Sequence, residues 1–94
     1  MEKSCCTYTP DIVSFLKTIS EENRLKILCF LRDWEKCVCE IVEFLKIPQN
    51  LVSHHLRKLK DARILSARKD GMNVRYSINE DEIKRYVNNF NSLF

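Results

Sequence analysis

Two short apolar stripes on either side of Pro48 constrain this chain of 94 residues more than any other feature. Each stripe occupies one face of a helix, at positions i, i+3, i+4 and i+7. The stripe before the proline consists of Val38, Ile41, Val42 and Leu45. The stripe after it consists of Val52, His55, Leu56 and Leu59. Because Lys46 to Asn50 leaves room only for a tight turn, we predict two helices in a helix-turn-helix arrangement.

Further helices are predicted on both sides of this pair. Thr9-Pro10 has the pattern of a cap followed by proline at the first helical position, so the first helix is expected from Pro10 to Ile19. Ser20, followed by two glutamates, is expected to cap a second helix. Residues 25–31 are apolar nearly all round, which predicts that this helix is buried. A last helix, capped by Asn79, has an apolar side formed by Ile83, Tyr86, Val87, Phe90 and Phe94.

The hydrophobic period changes to two from Ile64 onward, which is typical of strands. The alternating apolar positions are Leu65, Ala67, Val74, Tyr76 and Ile78. Asp70-Gly71 lies between the two runs and supplies a turn signal, so a β-hairpin is predicted. The predicted fold is therefore mainly α with a small β-hairpin, a winged helix-turn-helix with the order α-α-α-α-β-β-α.

Positive charge is concentrated in the same part of the chain. Residues 46–75 hold eight basic and two acidic side chains, a net +6, and the whole chain carries +3, so the remainder carries −3. A basic segment in an otherwise acidic domain indicates a nucleic-acid-binding surface, although a solvated charged surface is the alternative. We expect residues 1–9 to form a cysteine-bearing arm and residues 10–94 to form one DNA-binding and dimerisation domain.

The helix after Pro48 presents amide, hydroxyl, imidazole and guanidinium groups opposite its apolar stripe. Such groups read base edges or contact phosphates when a helix enters the major groove. The hairpin adds cations that could reach phosphates or the minor groove. The predicted DNA-binding residues are Gln49, Asn50, Ser53, His54, Arg57, Lys58, Arg68, Lys69 and Arg75. His55 lies in the apolar stripe instead and is expected to be partly buried.

No stretch approaches the roughly 20 apolar residues of a membrane span, and the N-terminus lacks the layout of a secretory signal, so we expect a cytoplasmic protein without a membrane partner. Five cysteines, an odd number, point in such a protein to metal ligation or thiol sensing rather than to a disulfide framework. Cys29 shares a face with Leu25 and Leu28 and is expected in the core.

Cys37 and Cys39 flank Val38 of the apolar stripe, so neither is an obvious core residue. In a regular helix their side chains would diverge by about 200°, so one ion can bind both only if Cys37 lies at a frayed first turn or the helix distorts. The positive helix end is expected to lower the thiol pKa values. Cys5 and Cys6, in the arm, could donate further thiolates. Three or four sulfur ligands select soft ions, As(III) or Sb(III) in trigonal sites and Cd(II), Pb(II) or Zn(II) in tetrahedral ones, and no organic cofactor is expected.

Four stretches resemble the ArsR/SmtB family of metal-responsive repressors, and the resemblance extends from Ile12 to Ile78. They are residues 16–25 (LKTISEENRL), 35–41 (EKCVCEI), 52–59 (VSHHLRKL) and 68–76 (RKDGMNVRY). The resemblance implies a homodimer built on the first and last helices, operator DNA bound by the apo form, and DNA release on metal binding. It places Cys37 and Cys39 at the position of the family's inducer cysteines. Cys5 and Cys6 resemble the N-terminal thiols that some members add, often from the opposite protomer.

Two positions depart from the family pattern. The last helix has no histidine, so the interfacial zinc site of other members is not expected, and Arg63 stands where the family usually has glycine. Other classes also remain open: a thiol-redox regulator, a winged-helix interaction module that does not bind DNA, and a small zinc-stabilised structural domain. An enzyme is not expected, because no predicted element presents a nucleophile, a base and an orienting group together.

Overall fold

A computed structural model describes residues 10–93 of the chain. The elements are α1 (Pro10–Ile19), α2 (Glu22–Leu31), β1 (Lys36–Cys37), α3 (Val38–Leu45), α4 (Gln49–Asp61), β2 (Leu65–Asp70), β3 (Asn73–Ile78) and α5 (Glu80–Asn91). This order confirms the predicted winged helix-turn-helix. The predictions for Cys5, Cys6 and the side chain of Phe94 fall outside the described residues. No helix in residues 10–93 is long and apolar enough to cross a membrane.

The core lies where α2, α3 and α4 meet the start of β2. Its fully buried side chains are Ile27, Ile41, Val52, Leu56, Leu59 and Ile64. The two stripes around Pro48 thus supply four of these six side chains, as their helical spacing predicts. Phe15 of α1 stacks on Tyr86 of α5, with ring centroids 4.3 Å apart, and joins the two terminal helices.

The α2 helix is less buried than its sequence predicts. Ile27 and Leu31 are buried, whereas Leu25 is 50% exposed and Cys29 is also exposed. The prediction that Cys29 is a core residue is therefore wrong, because α2 is covered on one side only. The cap also differs: Glu21 is the N-cap, its carboxylate accepting from the Arg24 backbone N–H at 2.9 Å. Ser20 instead donates its hydroxyl to the Lys17 carbonyl.

The end of α4 takes the form that a glycine would favour. Arg63 has a left-handed backbone, with φ +63°. The Arg63 N–H donates to the Lys60 carbonyl, and the Ile64 N–H donates to the Leu59 carbonyl. This is the Schellman pattern of helix termination, and the burial of both Leu59 and Ile64 accompanies it. The turn is thus formed despite the absence of the glycine that the family usually has there.

The wing is a three-stranded antiparallel sheet with the order β1-β3-β2. In the predicted hairpin, β2 pairs with β3 from Leu65↔Ile78 to Asp70↔Asn73. Gly71, at φ +66°, occupies the turn, where a left-handed backbone favours glycine. The strand β1 was not predicted, because two residues are too short to show any periodicity. It pairs Lys36 with Tyr76 and Cys37 with Arg75.

Candidate DNA-binding face and thiol site

One side of α4 is an exposed polar face. Its exposed side chains line a single concavity and are Gln49, Asn50, Ser53, His54 and Arg57. The opposite side of α4 is held in the core by Val52, Leu56 and Leu59, so this orientation is fixed by burial. Lys58 is also exposed but lies on the flank of α4 that faces α1. The structure thus brings five of the six predicted α4 residues together and places the sixth beside them.

The wing carries the remaining predicted cations, and carboxylates hold two of them. Arg68 forms a hydrogen-bonded ion pair with Glu35. Arg75 donates from Nε to Asp70 Oδ2 at 2.9 Å, and the same nitrogen lies 3.9 Å from Glu35 Oε1. The hydrogen bond from Arg75 lowers the pKa of Asp70. Sequence reasoning missed Glu35, because a lone glutamate in a loop gives no sign of the strand that it will face.

The two thiols of the Cys-Val-Cys stretch lie side by side at the start of α3. Cys37 is the N-cap, with an extended backbone at φ −84° and ψ 164°, so it lies outside the helix and is not bound by helical spacing. Its backbone N–H donates to Glu40 Oε1 at 2.9 Å. A hydrogen bond with the Cys37 side chain raises the pKa of Cys39. The arrangement therefore meets the condition that the sequence set for binding one ion through both sulfurs.

Two expectations about these thiols are wrong. Cys37 is buried, with 7% of its surface exposed, because it pairs with β3 as part of β1. Cys39 is exposed. The pKa of Cys39 is raised rather than lowered, since the interaction with the Cys37 thiol and the loss of water around the sulfur both disfavour a thiolate there. Glu40 itself has a lowered pKa because the Cys37 backbone N–H and side chain both hydrogen-bond to its carboxylate.

The thiol pair adjoins the wing. Cys37 faces Arg75 directly across the β1–β3 ladder. Arg75 Nη1 also lies 3.8 Å from Oε1 of Glu40, the oxygen that accepts from the Cys37 N–H. Glu40 follows Cys37 by three residues, which is the spacing of a capping box with cysteine in place of serine or threonine. That spacing was the one sequence signal that could have revealed the role of Glu40.

Within residues 10–93, no three histidine, cysteine or acidic side chains converge on a position that could hold a metal ion. The Cys37–Cys39 pair thus offers two thiols, and no third ligand, in this part of the chain. Its sulfur donors fit a soft, thiophilic ion and not a hard oxygen-seeking one. Cys29 is exposed and lies on a different helix, α2, from this pair.

His55 joins α4 to α2. Its Nδ1 accepts from Arg24 Nε at 3.1 Å and lies 3.8 Å from Glu21 Oε1. His55 is 8% exposed, as predicted from its place in the apolar stripe, and burial lowers its pKa. Arg24 also donates from Nη1 to the Thr18 carbonyl at 3.2 Å. The histidine is therefore a partnered structural residue on the side of α4 opposite its polar face.

The family model described as "Bacterial regulatory protein, arsR family" matches residues 21–67, half of the chain. The arsenical resistance operon repressor of Staphylococcus aureus is 32% identical over 83 residues, which cover 88% of this chain and 80% of that protein. The chain belongs to the ArsR family. It resembles the ArsR/SmtB repressors as the sequence indicated, and family membership makes it a transcriptional regulator and not an enzyme.

Two further proteins extend this result. The cadmium resistance transcriptional regulatory protein CadC of Listeria innocua is 38% identical over 76 residues, which cover 80% of this chain but only 64% of that longer protein. The solved structure of HlyU from Vibrio cholerae superposes with a TM-score of 0.76 and 32% identity, covering 100% of this chain and 98% of that chain. The winged helix-turn-helix fold is therefore shared over nearly the full length of a solved protein of similar size.

Proposed function

We propose that this chain is a metal(loid)-sensing transcriptional repressor. Its homodimer binds double-stranded operator DNA in the absence of the ion, and a thiophilic ion bound by Cys37 and Cys39 with Cys5 or Cys6 releases the DNA. As(III) or Sb(III) is the favoured inducer and Cd(II) or Pb(II) the next, which agrees with the arsenical and cadmium resistance functions named for two relatives. We expect the protein to act in the cytoplasm.

The observation that carries this proposal is the position of Cys37. This residue is at once the N-cap of α3, a residue of β1 and the neighbour of the Cys39 thiol. A bound ion would replace the thiol protons and fix both sulfurs relative to each other. Because Cys37 belongs to β1 and caps α3, and its side chain is buried between them, a constraint on its sulfur would act on the first turn of α3 and on the wing together.

The residues around Cys37 give this constraint a route to the DNA-binding residues. Glu40 holds the Cys37 N–H, and its carboxylate adjoins Arg75. Arg75 faces Cys37 across the ladder, and α3 packs against α4. A shift of Cys37 would therefore move Arg75 of the wing and, through α3, the helix α4 that carries the polar face. A coupling of about 1–3 kcal/mol is enough to change operator occupancy several-fold or more.

The test is a pair of serine variants. We expect Cys37→Ser and Cys39→Ser to bind promoter DNA normally but to release it poorly with arsenite, antimonite, cadmium or lead, because each variant lacks one sulfur ligand. Serine at position 37 can still cap α3, so folding should be retained. Fluorescence anisotropy of reduced protein with labelled promoter DNA, titrated with each ion, measures both properties. Cys29→Ser, which changes an exposed thiol of α2, is the matched control and should respond as the wild type does.

Full ion response in the Cys37→Ser variant would contradict the proposed site. Release of DNA from the wild-type protein by peroxide, with none of the ions effective, would favour the thiol-redox alternative. In that reaction Cys37 and Cys39 would form a disulfide, losing two protons and two electrons, and peroxide would be reduced to two water molecules. The closeness of the two thiols at the start of α3 is the observation that supports this second candidate function.

A further inference from the structure

A basic concavity lies on the flank of α4 beside its polar face, between α4 and the first two helices. Its lining residues are Val13, Ser14, Lys17, Thr18, Arg24 and Lys58, and its volume is about 500 Å³, ample for a phosphodiester group. Three cations and two hydroxyl groups line it, and no carboxylate does. We propose that this concavity binds a phosphate of the DNA backbone at the edge of the groove that α4 enters, with Lys17 as a contact residue.

The position of Lys58 places the concavity against DNA. Lys58 follows Arg57 of the polar face, about 100° further round the helix, and so belongs to the side of α4 next to that face. The major groove is about 12 Å wide, and a helix with its side chains is about 10–12 Å across. When such a helix lies in the groove, the phosphates at the groove edges must pass along its flanks. A concavity on one flank is therefore where a backbone phosphate would be met.

The charges in the concavity are available to a ligand. Within residues 10–93, no carboxylate forms an ion pair with Lys17 or Lys58, whereas Glu35 and Asp70 hold the wing arginines. The Arg24 guanidinium donates to two neutral acceptors, the His55 ring and the Thr18 carbonyl. These hydrogen bonds hold the guanidinium in place but do not neutralise its positive charge. Glu21 adjoins this group through its Oε1, which accepts from the Arg24 backbone N–H at 2.9 Å. Cations without a carboxylate partner in the described residues can bind an anionic ligand.

The inference deepens the proposed function and rests on DNA binding alone, not on the thiol response. A phosphate contact carries no sequence information, so its removal weakens binding to every duplex and reduces the dependence on salt. The test is the slope of log K against log salt concentration for the full-length protein, measured on promoter DNA and on an unrelated duplex. The variants are Lys17→Gln, Lys17→Arg and, as the matched control, Lys26→Gln. Lys26 lies on the side of α2 opposite Arg24 and pairs with Glu22.

We expect Lys17→Gln to lower the magnitude of the slope by about 0.9 for each phosphate that the protein no longer binds, on both duplexes, while Lys17→Arg and Lys26→Gln keep the wild-type slope. An unchanged slope in Lys17→Gln, as a site for a free small anion would give, overturns the proposal. A weaker affinity for promoter DNA alone also overturns it. The Lys17→Gln protein should still release DNA with the inducing ion, so failure of this inference and failure of the thiol site are distinguishable.

Discussion

His55 shows how a single polar side chain joins the DNA-facing helix to the rest of the fold. It is the one polar residue buried among the described residues, and it remains acceptable in the core because Arg24 donates to its Nδ1. A buried polar group without such a partner would destabilise the fold by about 1–3 kcal/mol. The neutral ring is the form that accepts this hydrogen bond, and a protonated ring would face the Arg24 cation.

The lowered pKa of His55 predicts that stability falls with decreasing pH. Because burial disfavours its charged form, the unfolded chain binds a proton more readily than the folded chain does, and this difference appears as the pH falls below about 6.5. The stabilising effect is therefore present above that pH and is lost progressively below it. Urea unfolding between about pH 7.5 and 5 checks this, with His55→Gln expected to show a weaker pH dependence. The matched control His54→Gln changes the exposed neighbour and should keep most of the wild-type dependence, because His54 is the smallest of the causes that lower the pKa of His55; equal slopes in all three proteins would contradict the prediction.

At the scale of elements, the wing sheet determines how far its cations are free to contact DNA. Arg68 and Arg75 both belong to the predicted DNA-binding set, yet Glu35 is ion-paired to the first and close to the second. Glu35 lies in the segment that leads into β1, so the third strand brings this carboxylate to the wing. If Arg68 and Arg75 contact DNA as we propose, phosphates must compete with Glu35 for the same two guanidinium groups.

Removing this competition should strengthen DNA binding. We expect Glu35→Gln to raise the affinity for promoter DNA by about two- to fivefold, since an exposed ion pair is weak and is screened by water. Anisotropy titrations at low and high salt measure the effect, which should shrink as salt screens it. Glu22→Gln is the control, because it removes an equal charge from an ion pair on α2. A Glu35→Gln protein with weaker binding would show that Glu35 positions the arginines for DNA instead of withholding them.

The elements also show what the sequence could and could not predict. Helices α3 and α4 follow directly from their apolar stripes, and the polar face of α4 follows from the same periodicity. The strand β1 does not, because its identity depends on pairing with β3, a segment distant in the sequence. The burial of Cys37 and the exposure of Cys29 both arise from tertiary packing. Local spacing alone had predicted the opposite for each residue. The raised pKa of Cys39 has the same origin, since it depends on an N-cap geometry that brings two thiols together.

At the scale of the whole molecule, apolar surface remains on the two terminal helices. The exposed apolar side chains of α1 and α5, with one residue beyond α5, are Leu16, Val87, Phe90 and Leu93, each 38–44% exposed. Stacking of Phe15 on Tyr86 holds α1 and α5 together, so these side chains belong to adjoining elements. An apolar surface of this kind suits the homodimer interface that we propose, and two copies of α4 would then meet two half-sites.

The dimer is tested by a charge on this surface. Val87→Asp should yield a monomer that binds promoter DNA weakly, because burying an unpaired carboxylate opposes association and a monomer can occupy only one half-site. Analytical ultracentrifugation gives the mass, and anisotropy on the same samples gives the affinity. Trp34→Asp changes another apolar residue, 70% exposed in the loop before β1, and should remain dimeric. A dimeric Val87→Asp protein would place the interface elsewhere.

The dual position of Cys37, in a strand and at a helix cap, has a consequence for how such regulators change over generations. Serine and cysteine codons differ by a single nucleotide, and serine satisfies the same N-cap position. If Cys37 binds the inducer as we propose, the response at this position can therefore disappear or return by a single mutation without passing through a sequence that fails to fold. A lineage could keep its DNA-binding protein intact while the chemical signal that it answers is replaced.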